Sequence, residues 1–79
     1  MAVDQVSLTW RMFQGERWLT HTSVMPASSA TRIAVTLLRE FSPSKTAWQP
    51  SDLDVTSRTT KRFSYESSDM ILRLRLIPS

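Results

Sequence analysis

The chain has 79 residues, a net charge of +3 and no cysteine. This length predicts one domain over residues 1–79 with a small core, because a chain of this size buries only about 60–65% of the surface that its unfolded form exposes. The composition excludes disulfides and thiolate metal sites, and no apolar run approaches the roughly 20 residues that cross a bilayer.

The first 25 residues predict a β-hairpin. Apolar and polar residues alternate from Val6 to Met12, which is typical of a strand with one buried face. Gly15 is the only glycine of the chain, and it supplies the positive φ of a tight turn at no steric cost. Strand character resumes from Arg17 to Met25, where the pattern does not show which face is buried.

A helix is predicted after Pro26. Ser28 or Ser29 can cap it by accepting a hydrogen bond from a backbone N–H of the first turn. Pro43 is expected to end it. Apolar side chains recur with helical spacing and would form its buried face: Ile33, Ala34, Leu37, Leu38 and Phe41.

Residues 42–54 lose this periodicity. The segment Ser51–Asp54 can form a turn of 3₁₀ helix, and we expect Trp48 and Leu53 to fold back over the core. Strand character returns from Val55 to Tyr65.

The final strand, Met70 to Ile77, has the cleanest alternation in the chain. Its even-numbered positions are all apolar, whereas Arg73 and Arg75 occupy odd-numbered ones. Because successive side chains of a strand point to opposite faces, we expect an apolar inner face and a basic outer face that also carries Ile71. This strand is expected to lie inside the sheet.

The element order is therefore ββαββ. It predicts an α+β two-layer sandwich in which one helix packs on a four-stranded mixed sheet. The predicted core consists of Val6, Leu8, Trp10, Met12, Ile33, Leu37, Leu38, Phe41, Phe63, Leu72, Leu74 and Leu76.

Residues 22–31 and 68–76 resemble two passages of the ubiquitin-like β-grasp superfold: the second strand leading through a Pro-Ser cap into the helix, and the last strand with its alternating Leu and Arg. The resemblance implies a helix packed across the sheet, a last strand beside the first, and an adaptor that binds partners through its sheet. Conjugated members end in Gly-Gly, whereas Ile77, Pro78 and Ser79 stand here. Conjugation is therefore not implied.

Catalytic residues are not expected. His21 is the only histidine, and no nucleophile or metal-ligand set accompanies it at a recognisable spacing. Asp52 and Asp54 are better explained as caps or Asx-turns than as an acid/base pair. We therefore expect no enzyme, no cofactor and no metal.

The strongest surface feature is a predicted basic patch near the aromatic side chains of Phe63 and Tyr65. Its members are Arg58, Lys61, Arg62, Arg73 and Arg75. Such a patch suits an acidic protein or single-stranded nucleic acid, although a solvated sheet face would show the same pattern.

We expect a non-catalytic protein–protein interaction module, such as an adaptor, a small subunit of an assembly, or a phage or plasmid inhibitor. Arg73, Arg75 and Ile71 would contact the partner, with Trp18 or Trp48 as the anchor. The alternative is a small nucleic-acid-binding domain that contacts phosphate through the basic patch. The expected state is a cytoplasmic monomer or homodimer without membrane contact.

Overall fold

The computed structural model describes residues 3–41 and 48–78 of the chain. One helix lies on one face of a four-stranded sheet, in agreement with the α+β prediction and with the coarse layout of a β-grasp-like domain. The elements in chain order are β1 (Gln5–Gln14), β2 (Arg17–Pro26), α1 (Ala27–Phe41), a 3₁₀ turn (Pro50–Leu53), β3 (Arg62–Glu66) and β4 (Met70–Ile77).

The sheet is antiparallel throughout, so the prediction of a mixed sheet is wrong. The strand order is β2-β1-β4-β3, and all three neighbouring pairs run antiparallel. If β3 began at the end of the sheet where α1 ends, β4 would run parallel to β1 and the sheet would be mixed. Instead the connection returns the chain to the other end of the sheet, where the Leu76 N–H donates to the Lys61 carbonyl at 3.0 Å. The last strand does lie beside the first, as the resemblance implied.

The first hairpin closes through a two-residue turn at Gly15 and Glu16, between the paired residues Gln14 and Arg17. Gly15 has φ 67°, a left-handed conformation that other residues adopt only with strain. The pair that closes such a hairpin is hydrogen-bonded, so alternate residues of β1 bond to β2 and to β4. The Phe13 N–H, which donates to the Asp69 carbonyl at 2.9 Å, belongs to the set that faces β4.

The inner face of the sheet forms the core with α1. In β4 the side chains of Leu72 and Leu74 are buried, whereas Arg73 and Arg75 are exposed. The predicted alternation of this strand is therefore confirmed. Leu74 lies directly between Leu8 of β1 and Phe63 of β3, so β4 forms the centre of the apolar layer.

The buried face of α1 is rotated from the predicted one. Ala34 and Leu38 are buried as predicted, but Ile33 and Phe41 are 36% and 45% exposed, and Ala30 and Val35 are buried in addition. Small side chains let the helix lie close to the sheet, and the 3₁₀ segment covers the flank that carries Val35.

The start of α1 also differs from the prediction. The helix begins at Ala27, directly after β2, and the Ala27 N–H donates to the Asp4 carbonyl at 2.9 Å. Ser28 and Ser29 therefore lie inside the first turn and do not precede it. The predicted end of the helix at Pro43 falls outside the described residues.

The segment after α1 supplies core residues, as predicted for Trp48 and Leu53, which are both buried. The predicted strand from Val55 is shorter than expected, because residues 55–60 form turns and bends and β3 begins only at Arg62. Lys61 precedes β3 with φ 57°, which breaks the extended backbone.

The assignment of the two faces of β4 is testable with one pair of variants. Leu74→Arg should lower the free energy of unfolding by more than about 4 kcal/mol, enough to unfold a domain of this size, because it buries an unpaired charge and removes a core leucine. Arg73→Leu should change it by less than about 0.5 kcal/mol. Urea unfolding followed by circular dichroism measures both, and equal midpoints would contradict the assignment.

Candidate functional site

No element formed by residues 3–41 and 48–78 covers the sheet face opposite α1, and we call it the open face. Its side chains come from the outward positions of all four strands, as the strand registers show. They are Ser7, Thr9, Arg11 and Phe13 of β1; Trp18, Thr20, Thr22 and Val24 of β2; Arg62, Ser64 and Glu66 of β3; and Ile71, Arg73, Arg75 and Ile77 of β4.

Three arginines meet on this face and form what we call the basic cluster: Arg62, Arg73 and Arg75. Arg62 lies directly opposite Arg75 in the β3–β4 register. The neighbouring pair of residues 61 and 76 is hydrogen-bonded, so Arg62 and Arg75 form a non-hydrogen-bonded pair, in which side chains approach most closely. Within the described part of the chain none of the three guanidiniums has an ion-pair or hydrogen-bond partner.

The basic cluster lines a shallow depression of about 430 Å³. The hydroxyl-bearing residues Ser7, Thr9 and Ser64 also line it. Guanidinium and hydroxyl donors around one concavity are the groups that bind phosphate or carboxylate oxygens. Direct juxtaposition of two like charges costs stability, so the cluster is not explained by folding alone.

A second group, the aromatic end, lies at the hairpin end of the open face and consists of Arg11, Phe13 and Trp18. The Arg11 guanidinium carbon lies 5.4 Å from the centre of the Trp18 ring, and its Nε donates to the Thr20 hydroxyl at 3.2 Å. Phe13 meets Trp18 edge to face at 5.6 Å between ring centres. These contacts hold an exposed aromatic surface in place beside a positive charge.

Charge on the open face is one-sided. Glu66 is the only carboxylate among its strand residues. Its four arginines therefore leave a surplus of three positive charges, which equals the net charge of +3 for the whole chain. The surplus is concentrated on one surface and would attract an anionic partner to it.

The structure separates the predicted basic patch into two groups. Arg62, Arg73 and Arg75 are together, but Arg58 and Lys61 are engaged elsewhere. The Arg58 guanidinium lies 5.3 Å from the centre of the Phe63 ring, on the inner side of β3. The Lys61 ammonium donates to the Thr56 carbonyl at 3.0 Å.

The two predicted anchor tryptophans lie in different environments. Trp18 is on the open face and 37% exposed. Trp48 is only 9% exposed, and it packs edge to face against Phe63 and Tyr65 at 6.2 and 5.6 Å. The choice of Trp48 as a surface anchor is therefore corrected, because its ring is enclosed by the core. Ile71 lies on the open face and is half-buried.

Sequence reasoning missed Arg11 and Phe13. The signal was present, because both occupy outward positions of the alternation in β1. Their proximity to Trp18 depends on the register of the hairpin, which the position of Gly15 sets.

Two carboxylates outside the open face, Asp52 and Asp54, have structural partners. Asp52 accepts a hydrogen bond from the Gln49 N–H at 2.8 Å. The Thr56 hydroxyl donates to Asp54 Oδ1 at 2.6 Å, and this hydrogen bond holds the pKa of the Asp54 carboxyl below its usual value. Among residues 3–41 and 48–78 there is no cluster of three or more His, Cys, Asp or Glu side chains that could hold a metal ion.

A larger groove of about 730 Å³ runs between α1 and the 3₁₀ segment. Two of its three charged groups have partners in the fold, whereas the third, Arg32, is exposed. Arg39 donates from Nε and Nη2 to the Trp48 carbonyl at 2.9 and 2.7 Å, and Asp54 accepts from Thr56. We therefore assign this groove a role in holding the 3₁₀ segment on the helix, and the open face remains the better candidate site.

Comparison of the chain with protein-family models, with curated proteins and with solved structures finds no significant match. Of the helices in the described ranges, none has the length and apolar character needed to cross a bilayer. The function is therefore argued from the geometry of the open face.

The destabilisation of the fold by the basic cluster can be measured directly. Arg62→Gln should raise the free energy of unfolding by about 0.2–1 kcal/mol at low salt, because it removes the like charge opposite Arg75. The increase should shrink in about 0.5 M NaCl, where charges are screened. Arg32→Gln, on the exposed side of α1, is the matched control and should show no such salt-dependent increase. A destabilised Arg62→Gln variant would mean that Arg62 has a favourable partner.

Proposed function

We propose that the protein is a non-catalytic binding module whose open face holds an anionic chain, and that single-stranded nucleic acid is the partner class. The observation that carries this proposal is the basic cluster: three arginines without a partner among the described residues, two of them directly opposite each other, around a depression that hydroxyl groups complete. A bound phosphate would relieve the repulsion and satisfy the donors.

The second support is the aromatic end of the same face. Proteins that bind single strands combine cations that follow the backbone with aromatic rings on which bases stack. The Phe13 and Trp18 rings provide such a surface, and Arg11 lies over one of them.

The distance between the two groups suits one short strand. Trp18 lies four residues along and two strands across from Arg73 in the sheet. With about 3.4 Å per residue and about 4.8 Å between strands, the separation is about 17 Å. Arg11 of β1 lies midway between them, with Thr9 and Thr20 on either side of it, and the hydroxyls of Thr9 and Thr22 hydrogen-bond to each other at 3.1 Å. The strand residues along this path include no carboxylate.

An acidic protein segment is the second candidate. Ile71 and Ile77 lie beside the arginines of β4 on the open face and are half-buried. Apolar surface next to arginine is typical of protein interfaces. The resemblance to β-grasp adaptors, which bind partners through the sheet, agrees with the use of this face for either partner.

The test is the salt dependence of binding to a labelled single strand of about 12 nucleotides, followed by fluorescence anisotropy. The wild-type protein should bind at low salt and lose affinity steeply as salt rises. The variant Arg73→Ala/Arg75→Ala should bind at least about tenfold more weakly. Its slope of log K against log salt should be smaller by about 0.7 for each phosphate that the variant no longer neutralises.

Trp18→Ala separates stacking from charge. It should weaken binding by about 5- to 150-fold, corresponding to about 1–3 kcal/mol for one stacked base, without changing the salt slope. Arg32→Ala, which removes a positive charge from α1, is the control. It should change neither the affinity nor the salt slope by much.

Absence of an anisotropy change at about 50 µM protein and low salt would exclude nucleic acid. Displacement of the strand by poly-glutamate of equal charge would favour the acidic protein segment.

A further inference from the structure

The two edges of the sheet differ in a way that the open face does not explain. The β3 edge is five residues long and carries Arg62 and Glu66. The β2 edge is ten residues long, and it has no charged residue between Trp18 and Pro26. Charged, short edge strands resist pairing with other chains, whereas long uncharged ones favour it. Only β3 is protected in this way.

The backbone of β2 presents a regular set of unused donors and acceptors. Since the Gln14–Arg17 pair closes a two-residue hairpin, the odd-numbered residues of β2 bond to β1. The N–H and C=O groups of Trp18, Thr20, Thr22 and Val24 therefore point away from the sheet, at its free edge. All four of these residues lie in the uncharged stretch of β2.

We propose that β2 pairs antiparallel with β2 of a second copy of this chain, about a two-fold axis at His21, to form a continuous eight-stranded sheet. An antiparallel edge is self-complementary, and an axis at His21 is the one that uses all four outward positions. It places Thr20 opposite Thr22 of the second copy and Trp18 opposite Val24 of the second copy, each pair formed twice.

This register accounts for two exposed apolar side chains. Trp18 and Val24 are 37% and 58% exposed in the single chain. In the dimer they form aromatic–β-branched cross-strand pairs, which stabilise antiparallel sheets. The charges at the two ends of the sheet also fit this two-fold axis. Arg17 of one copy comes to the end where Asp4 of the second copy lies, and the two side chains have opposite charges.

The helix flank above β2 is apolar too. Ile33, Leu37 and Phe41 are spaced by four residues on the side of α1 turned away from the 3₁₀ segment, and all three are partly or largely exposed. If each helix lies over its own β1, the two helices of the dimer are three strand spacings apart. At about 4.8 Å per spacing, their helix axes are separated by about 14 Å. Helices in direct contact are about 8–10 Å apart, so strand pairing is the main contact of this dimer.

Cysteine cross-linking tests the register, because the chain contains no cysteine of its own. In the proposed dimer His21 faces His21 of the second copy in a non-hydrogen-bonded pair, with Cα atoms about 4.5 Å apart, a distance that a disulfide spans. His21→Cys should therefore form a covalent dimer under mild oxidation. Leu19→Cys is the control: it is exposed on the same strand face, but its symmetry mate would be about 14 Å away.

His21→Cys should cross-link at least tenfold faster than Leu19→Cys. Equal rates for the two variants, or no cross-linking of either, would overturn the register.

Sedimentation equilibrium tests the pairing itself. The wild-type chain should show a mass that rises toward the dimer between about 10 and 300 µM. Thr22→Pro removes an N–H at the free edge and leaves the ladder to β1 intact, so it should remain monomeric. Thr22→Val keeps that N–H and should still dimerise.

A monomeric wild-type chain at 300 µM would overturn the proposal, as would a Thr22→Pro variant that dimerises like the wild type. If Thr22→Pro does not fold, the cross-linking comparison and the mass of the wild-type chain decide. None of these outcomes depends on nucleic-acid binding.

Discussion

The alternation of β4 is the constraint on which the rest of the structure depends. This strand is central, with β1 on one side and β3 on the other, and its leucines complete the apolar layer under α1. A shift of the register by one residue would move every side chain of the strand to the opposite face. It would bury Arg73 and Arg75 and expose Leu72 and Leu74, at a cost far above the stability of a small domain. The same pattern that fixes the core therefore also fixes the arginines on the open face.

The charge distribution follows from that constraint. The β3–β4 register brings Arg62 opposite Arg75, a juxtaposition that hydrophobic packing does not require. On the helix side, by contrast, two of the three charged groups lining the larger groove have partners: Arg39 donates to the Trp48 carbonyl and Asp54 accepts from Thr56, while Arg32 is exposed. Among the described residues, three clustered arginines on the open face, two of them directly opposite each other, contrast with the mostly paired charges of the groove, and this contrast distinguishes a binding surface from a structural one. The free edge of β2 adds a second surface, defined by backbone groups and not by charge.

Much of this arrangement could be predicted from the sequence, because period-2 patterns and a single glycine are local signals. They identified β1, β4 and the turn at Gly15. The direction of β4 could not be predicted, since it depends on the path of residues 42–61 and not on any local pattern.

The buried face of α1 was predicted only in part, for a related reason: Ala34 and Leu38 are buried as expected, but Ile33 and Phe41 are exposed. Helical spacing allows a stripe centred on Ile33 and Leu37 as readily as one centred on Ala34 and Leu38. Only the position of the 3₁₀ segment against Val35 decides between them. The return of Trp48 to the core was predicted, but its contacts with Phe63 and Tyr65 depend on long-range packing that no local pattern shows.

The pairing of β1 with β4 can be measured directly by nuclear Overhauser effects between α-protons in solution. In the antiparallel register described above, Leu8–Leu74 and Trp10–Leu72 are non-hydrogen-bonded pairs, whose α-protons lie closest together. Strong effects for both pairs are the expected result. Effects that join Leu8 to Arg73, or a pattern typical of parallel strands, would contradict the account of both the core and the open face.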